Sequence, residues 1–382
     1  MTVLFSSSSI DAAAATASSK QSLVYVGAFT GPSKGKGIYA YRMDLDTGAM
    51  TPLGLAAETD SPTFIDVDPK GRHVYAINEI EHFDGKAAGA VSAFSIDRAS
   101  GKLTPLNQLS SVGTGPCYVM VDRAGRNALV ANYAGGSIAV LPIGSDGRLK
   151  DASTFTQHTG KSVNPDRQAG PHAHCLTLDP AGHFAFACDL GLDRILIYKL
   201  DSKSGKLVPN DPAFAEVKPG DGPRHIAFDP KGRFAYVITE MHSTIVVFKY
   251  NSSRGSMEEV QTVSSVPDDF TGNKWGAEIQ VHPSGKFLYA SNRNHDSIAV
   301  FAIDAATGKL TSLQHEPTQG KTPRYFALDP TGKFLLAANQ DSDTIVIFRV
   351  DPSTGRLTPT GQTVQIPGPA CIKFVPGVAT AN

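Results

Sequence analysis

Two histidines stand in His-x-His spacing, His172 and His174, directly after a Gly-Pro in "RQAGPHAHCLTLDP" (167–180). The frame returns in "DGPRHIAFDP" (221–230), where an Arg-His pair, Arg224 and His225, follows the Gly-Pro. Glu240, Trp275, Glu278 and Arg293 come later in the chain, and Glu79 and Asn132 lie upstream. Guanidiniums hold a phosphate or carboxylate bidentately. A histidine or glutamate beside them can take or return a proton. The chemistry on offer is an anion clamp, Arg224 and Arg293, next to an acid–base group, His174 or Glu240. The same residues would also serve a module that only binds phosphate. A metal would need more ligands than the His-x-His pair supplies. The carboxylates that could join it are scattered and compete with the arginines, so no metal and no cofactor are expected. The chain has no GxSxG elbow, P-loop or GxGxxG unit.

Residues so far apart can meet through a repeat. "DPKGRHVYAINE" (68–79) returns as "DRAGRNALVANY" (122–133), "DPAGHFAFACDL" (179–190), "DPKGRFAYVITE" (229–240), "HPSGKFLYASNR" (282–293) and "DPTGKFLLAANQ" (329–340). A spacing of about 50 residues falls in the range of propeller repeats. Each copy reads as strands. An alternating run ends at Asp-Pro-x-Gly, where Pro presets φ and Gly takes a conformation other residues resist. A second apolar run follows, then a polar break, a third run such as "SIAVFAID" (297–304), and a turn such as "DAATGKL" that opens a fourth. Four antiparallel strands, repeated about seven times, make an all-β, seven-bladed β-propeller. "GPACIKFVPG" (368–377) supplies only a first strand, so segment 22–55 is expected to complete that blade and close the ring. Residues 22–378 would then form one domain.

In such a meander the start of strand one lies beside the end of strand two. Residues after each Gly-Pro and after each second apolar run therefore gather at one channel mouth. The strand-one starts include Thr63, Cys117, His172, His174, Arg224, His225, Glu278 and Arg324; the strand-two ends include Glu79, Asn132, Glu240 and Arg293. Varied polar groups converging on a concave mouth point to a small-molecule site. His174, Arg224, Glu240 and Arg293 are expected to be catalytic. His172, His225, Glu278, Trp275, Asn132 and Glu79 are expected to contact substrate. Trp275, the only tryptophan, is either a packing plug between blades or a wall of the pocket. Strand alternation puts His172 and His174 on the same side, with His172 nearer the rim.

Lys plus Arg (35) nearly balance Asp plus Glu (36), and no basic tract appears, so nucleic acid is not an expected partner. No apolar run is long enough to span a membrane, and no membrane partner is expected. Residues 1–21 are rich in Ser and Ala but lack the basic start and apolar stretch of a signal peptide. They read as a disordered leader on a cytoplasmic monomer; the alternative is the remnant of an export signal. Cys117, Cys175, Cys188 and Cys371 form no CxxC pair and read as buried thiols.

The chain resembles the seven-bladed propeller lactonases, a family that includes bacterial 6-phosphogluconolactonases and the fungal carboxy-muconate lactonising enzyme. The resemblance covers nearly the whole chain from about residue 22. It rests on "PHAHCLTLDPAG", "GPRHIAFDPKGRFAYVITE", "KWGAEIQVHPSGKFLYASNR" and "GTGPCYVMVDRAGRNALVANYAGGSIAVLPI". It implies a site of one histidine, two arginines and a glutamate, matched here by His174, Arg224, Arg293 and Glu240, with His172 as the alternative histidine. It implies metal-independent hydrolysis of a small anionic lactone, 6-phosphogluconolactone. Lactonisation of a carboxy-muconate is the alternative reaction. A lactonase for unphosphorylated or exported substrates and a non-enzymatic binding platform are the rival readings.

Overall fold

A computed structural model of the chain describes residues 21–32 and 34–377. Seven four-stranded antiparallel sheets form the blades of a β-propeller. In six blades the strands run in chain order from the channel outward. The remaining blade, counted as the first, is shared by the two ends of the chain. Pro369–Phe374 is its innermost strand, followed by Gln21–Ala28, Gly37–Asp44 and Met50–Glu58. The closing pair runs antiparallel from Val24↔Phe374 to Ala28↔Pro369. Ring closure by the termini is thus what the truncated last repeat requires. The leader expected over 1–21 lies outside the described residues, apart from Gln21, which opens a strand. After Glu79 the chain adds a small hairpin, His82–Phe83 with Lys86–Ala87.

The repeated Asp-Pro-x-Gly turn has a physical reason. Asp179 Oδ1 accepts the backbone N–H groups of His183 (2.8 Å) and Phe184 (2.9 Å), and Oδ2 accepts the Tyr250 hydroxyl (3.1 Å). Gly182 sits at φ 74°, where a Cβ would be strained. Asp229 and Asp68 accept the equivalent pairs of N–H groups. Replacing Asp179 by Ala strands these donors in a buried setting. The expected cost is about 2–4 kcal/mol, read as a lower urea midpoint with an unchanged slope.

The outer turns with Thr-Gly or Ser-Gly are also explained. Tyr25, Tyr75, Tyr236 and Tyr289 are fully buried, and their hydroxyls donate to the carbonyls of Gly101, Gly147, Gly308 and Gly355 in the outer turn of the next blade. Four of the blade interfaces are thereby latched by a satisfied polar contact inside an apolar setting. Phe234, Tyr236, Ile238 and Val247 pack there against Ile279, Leu288, Ala290 and Phe301 of the following blade. Strand-two segments such as Phe184–Asp189 are buried along their whole length, as packing on both faces demands.

One irregularity positions the site. The innermost strands break register just after each Gly-Pro: between Pro116 and Tyr118, Ala173 and Cys175, Pro223 and His225, and Pro323 and Tyr325. The sixth blade shifts between Gly276 and Ile279. Cys117, His174, Arg224 and Arg324 are the residues left unpaired. A bulge re-aims its extra side chain, and here it aims inward. It also interrupts the strict alternation from which one shared side was expected for His172 and His174. His172 precedes the strand Ala173–Leu178, and His174 is its bulged residue.

Candidate active site

Glu240, just past the strand Phe234–Thr239, is the hub. Its Oε1 accepts Arg167 Nη2 at 2.6 Å. Its Oε2 accepts Arg224 Nε at 3.2 Å and Arg293 Nη2 at 2.9 Å, with His174 Nε2 3.7 Å away. Backbone carbonyls of the sixth blade fix the guanidiniums further: Ala277 accepts Arg224 Nη1 at 2.6 Å, and Gly276 accepts Arg293 Nη2 at 2.9 Å. Arg293 Nε is buried and has no partner among the described residues.

The charges in this cluster are set by burial and by one another. Burial works against the Glu240 carboxylate, but the guanidiniums of Arg293, Arg224 and Arg167 overcome it and hold the group well below the usual carboxylate range. Burial, with Arg293 and Arg324 nearby, pushes Arg224 down to about 9, so it stays cationic at neutral pH. Burial, then Arg224, depresses His174 well below the ordinary histidine value. His174 is therefore a neutral imidazole facing an ionised carboxylate. Its other nitrogen, Nδ1, lies 3.8 Å from Cys117 Sγ.

His225 and Glu278 lie against this cluster but are engaged with each other, His225 Nδ1 standing 2.7 Å from Glu278 Oε2. Burial and Arg224 lower His225 to about 4, so the ring is neutral. Its Nδ1–H then donates to Glu278, and its bare Nε2 accepts Arg224 Nη1 at 3.4 Å. The pair, expected to contact substrate, is thus linked through His225 to the Arg224 guanidinium.

The four residues expected to be catalytic thus come together. Trp275 is 42% exposed and covers the Arg293 guanidinium at 5.5 Å, so it is not buried as a plug between blades. His172 stacks on the Tyr133 ring at 4.7 Å, and its Nδ1 lies 3.0 Å from the Tyr133 carbonyl. The same Tyr133 ring meets His174 edge-on at 5.4 Å, so the two histidines flank one tyrosine. Among the described residues no three His, Cys, Asp or Glu side chains are grouped to hold a metal ion. Glu79 accepts the Thr63 hydroxyl in the second blade, three blades from Glu240. Asn132 requires a correction. It is fully buried, and its Nδ2 donates to the Ser111 carbonyl (3.1 Å) and the Ser137 hydroxyl (3.2 Å). Asn292 and Asn339 make the matching backbone bonds to Ser265 and Thr318. The strand-two asparagines belong to the scaffold and tie the incoming chain to each blade.

Arg167 is the site residue that sequence reasoning passed over. It bonds Glu240 and the Tyr133 hydroxyl (3.1 Å) from the connection ahead of the fourth blade. That loop is pinned by Ser162 to Asp193 (2.5 Å) and by Gln168 to the Leu190 carbonyl (2.8 Å). Arg167 lies outside the repeat frame, so no periodic signal marks it.

The family described as "Lactonase, 7-bladed beta-propeller" matches residues 23–374. A 6-phosphogluconolactonase of Bacillus subtilis is 40% identical over 352 residues, 92% of this chain and 97% of that protein. A 6-phosphogluconolactonase of Formosa agariphila is 32% identical over 80% of this chain and 86% of its own length. The solved structure of a periplasmic gluconolactonase from Pseudomonas aeruginosa superposes with a TM-score of 0.87 at 33% identity, covering 94% of this chain and 99% of that one.

Proposed function

Because the chain belongs to the seven-bladed β-propeller lactonase family, we propose that it hydrolyses 6-phosphogluconolactone to 6-phosphogluconate at this mouth. The observation that carries the reading is the buried Glu240 carboxylate, bound by the guanidiniums of Arg167, Arg224 and Arg293, beside the neutral His174. Arg224 and Arg293 hold the anionic substrate and neutralise charge that builds on the carbonyl oxygen. Their alignment is set beforehand by Glu240 and by two backbone carbonyls.

The proposal divides the labour between the two candidate bases. Glu240 is held ionised by its cations and is a poor proton acceptor. Neutral His174 takes a proton from water as the water oxygen attacks the lactone carbonyl carbon. The resulting imidazolium is stabilised by Glu240 and returns the proton to the ring oxygen as the ester C–O bond breaks. One water is consumed, and the open acid leaves.

No step in this scheme uses a metal. Chelator treatment is expected to leave turnover unchanged in an assay coupled to oxidation of the product. Loss of activity that zinc restores would return His172 and His174 to the ligand reading. Freshly generated 6-phosphogluconolactone is expected to be hydrolysed well above its spontaneous rate, and failure to accelerate it would overturn the reading. We place the protein in the cytoplasm, where a charged phosphorylated lactone is retained. Four free buried cysteines, two of them register partners at Cys175↔Cys188, support a reducing compartment. No described helix is long and apolar enough to cross a membrane.

A further inference from the structure

Arg324 is the bulged residue of the innermost strand Pro323–Leu328, the position that His174 and Arg224 hold in their own blades. It is half-buried, and its guanidinium stacks over the Phe29 ring at 5.3 Å. Among the described residues no carboxylate stands within ion-pair distance of it, in contrast to Arg167, Arg224 and Arg293, which all meet Glu240. Its charge nevertheless reaches the site: it adds to the burial that lowers Arg224, and it helps depress His174 and His225. Ring positions on either side of it are small, Ala277 in the sixth blade and Ala370 in the closing blade. On the sixth-blade side, the buried Arg293 Nε is the donor left without an acceptor.

We propose that Arg324, together with Arg293 Nε, forms the seat for the substrate's phosphate, beside the Arg224 and His174 pair that handles the lactone ring. The inference rests on the lactonase reading and names what that reading leaves open, which end of the substrate meets which guanidinium. A phosphate monoester dianion offers several acceptor oxygens, enough to engage a planar guanidinium and the orphaned Nε together. An unphosphorylated lactone has nothing to place there. Arg324 is on this account a specificity determinant, and it sets the preference between phosphorylated and plain sugar lactones.

The test compares Arg324→Gln and Arg324→Lys with the parent protein on 6-phosphogluconolactone and on glucono-δ-lactone. In Arg324→Gln the ratio of the two kcat/KM values is expected to fall by about 10- to 100-fold, the size of a lost charged hydrogen-bond pair. Arg324→Lys, which keeps the charge but not the fork, should recover part of it. Thermal denaturation with millimolar inorganic phosphate gives a second readout: phosphate should raise the Tm of the parent and not that of Arg324→Gln. An unchanged ratio, or equal stabilisation of both proteins by phosphate, overturns the seat. If the parent hydrolyses neither lactone, the lactonase reading fails on its own, and the phosphate titration alone decides the seat.

Discussion

Replacing Arg224 by Gln is expected to lower kcat/KM for the lactone by about 1,000-fold or more while the propeller stays folded. Arg224 Nε meets Glu240 and its Nη1 meets the Ala277 carbonyl, so the guanidinium is aimed before substrate arrives. A preset donor at a developing oxyanion is worth about 100- to 1,000-fold when removed. Here the loss is compounded, because Glu240 loses a counter-charge and the two groups work as one unit. Gln keeps much of the volume and can still donate to a carbonyl, so circular dichroism and the melting transition should change little. The loss should fall mainly on kcat, since the interaction strengthens as charge builds on the carbonyl oxygen. A variant within threefold of the parent would remove Arg224 from the mechanism.

The second large effect concerns His174. His174→Asn removes the proton carrier, and kcat is expected to fall by about 100- to 10,000-fold. The pH profile adds a sharper reading. Burial, followed by the charge of Arg224, keeps the imidazole neutral to well below the ordinary histidine range. A general base works unprotonated, so kcat/KM in the parent should be flat through neutrality and fall only in acid, as pH drops through the depressed value. In the Arg224→Gln background one of the depressing cations is gone. The acid limb of whatever activity remains should move to higher pH. A limb that stays in place would mean that another group governs it.

The scaffold could be read from sequence because its determinants are periodic. Asp-Pro-x-Gly turns, alternating strands and Thr-Gly or Ser-Gly corners recur at each blade, and the truncated last copy dictates how the ring closes. The four central residues were legible for the same reason: they occupy equivalent places in successive repeats. What escaped were departures from ideal geometry. Alternation gave His172 the place nearer the rim, but nothing in the pattern announced the bulge that makes His174 an unpaired, extra residue, or the Tyr133 ring that both histidines meet. Asn132 shares a strand-two end with residues near the mouth, yet its amide is used to tie down Ser111. Nothing in a one-dimensional pattern separates a polar side chain that bonds backbone from one that meets ligand. Arg167 illustrates the opposite failure. It arrives from a connecting loop whose path is set by Ser162, Asn164 and Gln168 contacts, and no repeat carries its equivalent.

His225 and Glu278 show how chemistry-bearing residues can be right in location and different in role. Both reach the channel, where His225 packs edge-on against Phe64 and Tyr118 of distant blades. Their mutual hydrogen bond fixes the histidine tautomer and turns the free nitrogen to Arg224. On the proposed mechanism such a pair positions the Arg224 guanidinium and takes no part in bond making itself.

The most direct test of the central claim is a pH-stat measurement of acid release from freshly prepared 6-phosphogluconolactone, with the parent protein and Glu240→Gln side by side. The expected result is a rate far above spontaneous hydrolysis for the parent, saturating with substrate, and near-spontaneous hydrolysis for the variant. Glu240 holds both clamp arginines, so its neutralisation should undo the site without unfolding the ring. Acid release by the parent at the spontaneous rate, or undiminished release by Glu240→Gln, would contradict the assignment of this mouth as a lactonase site.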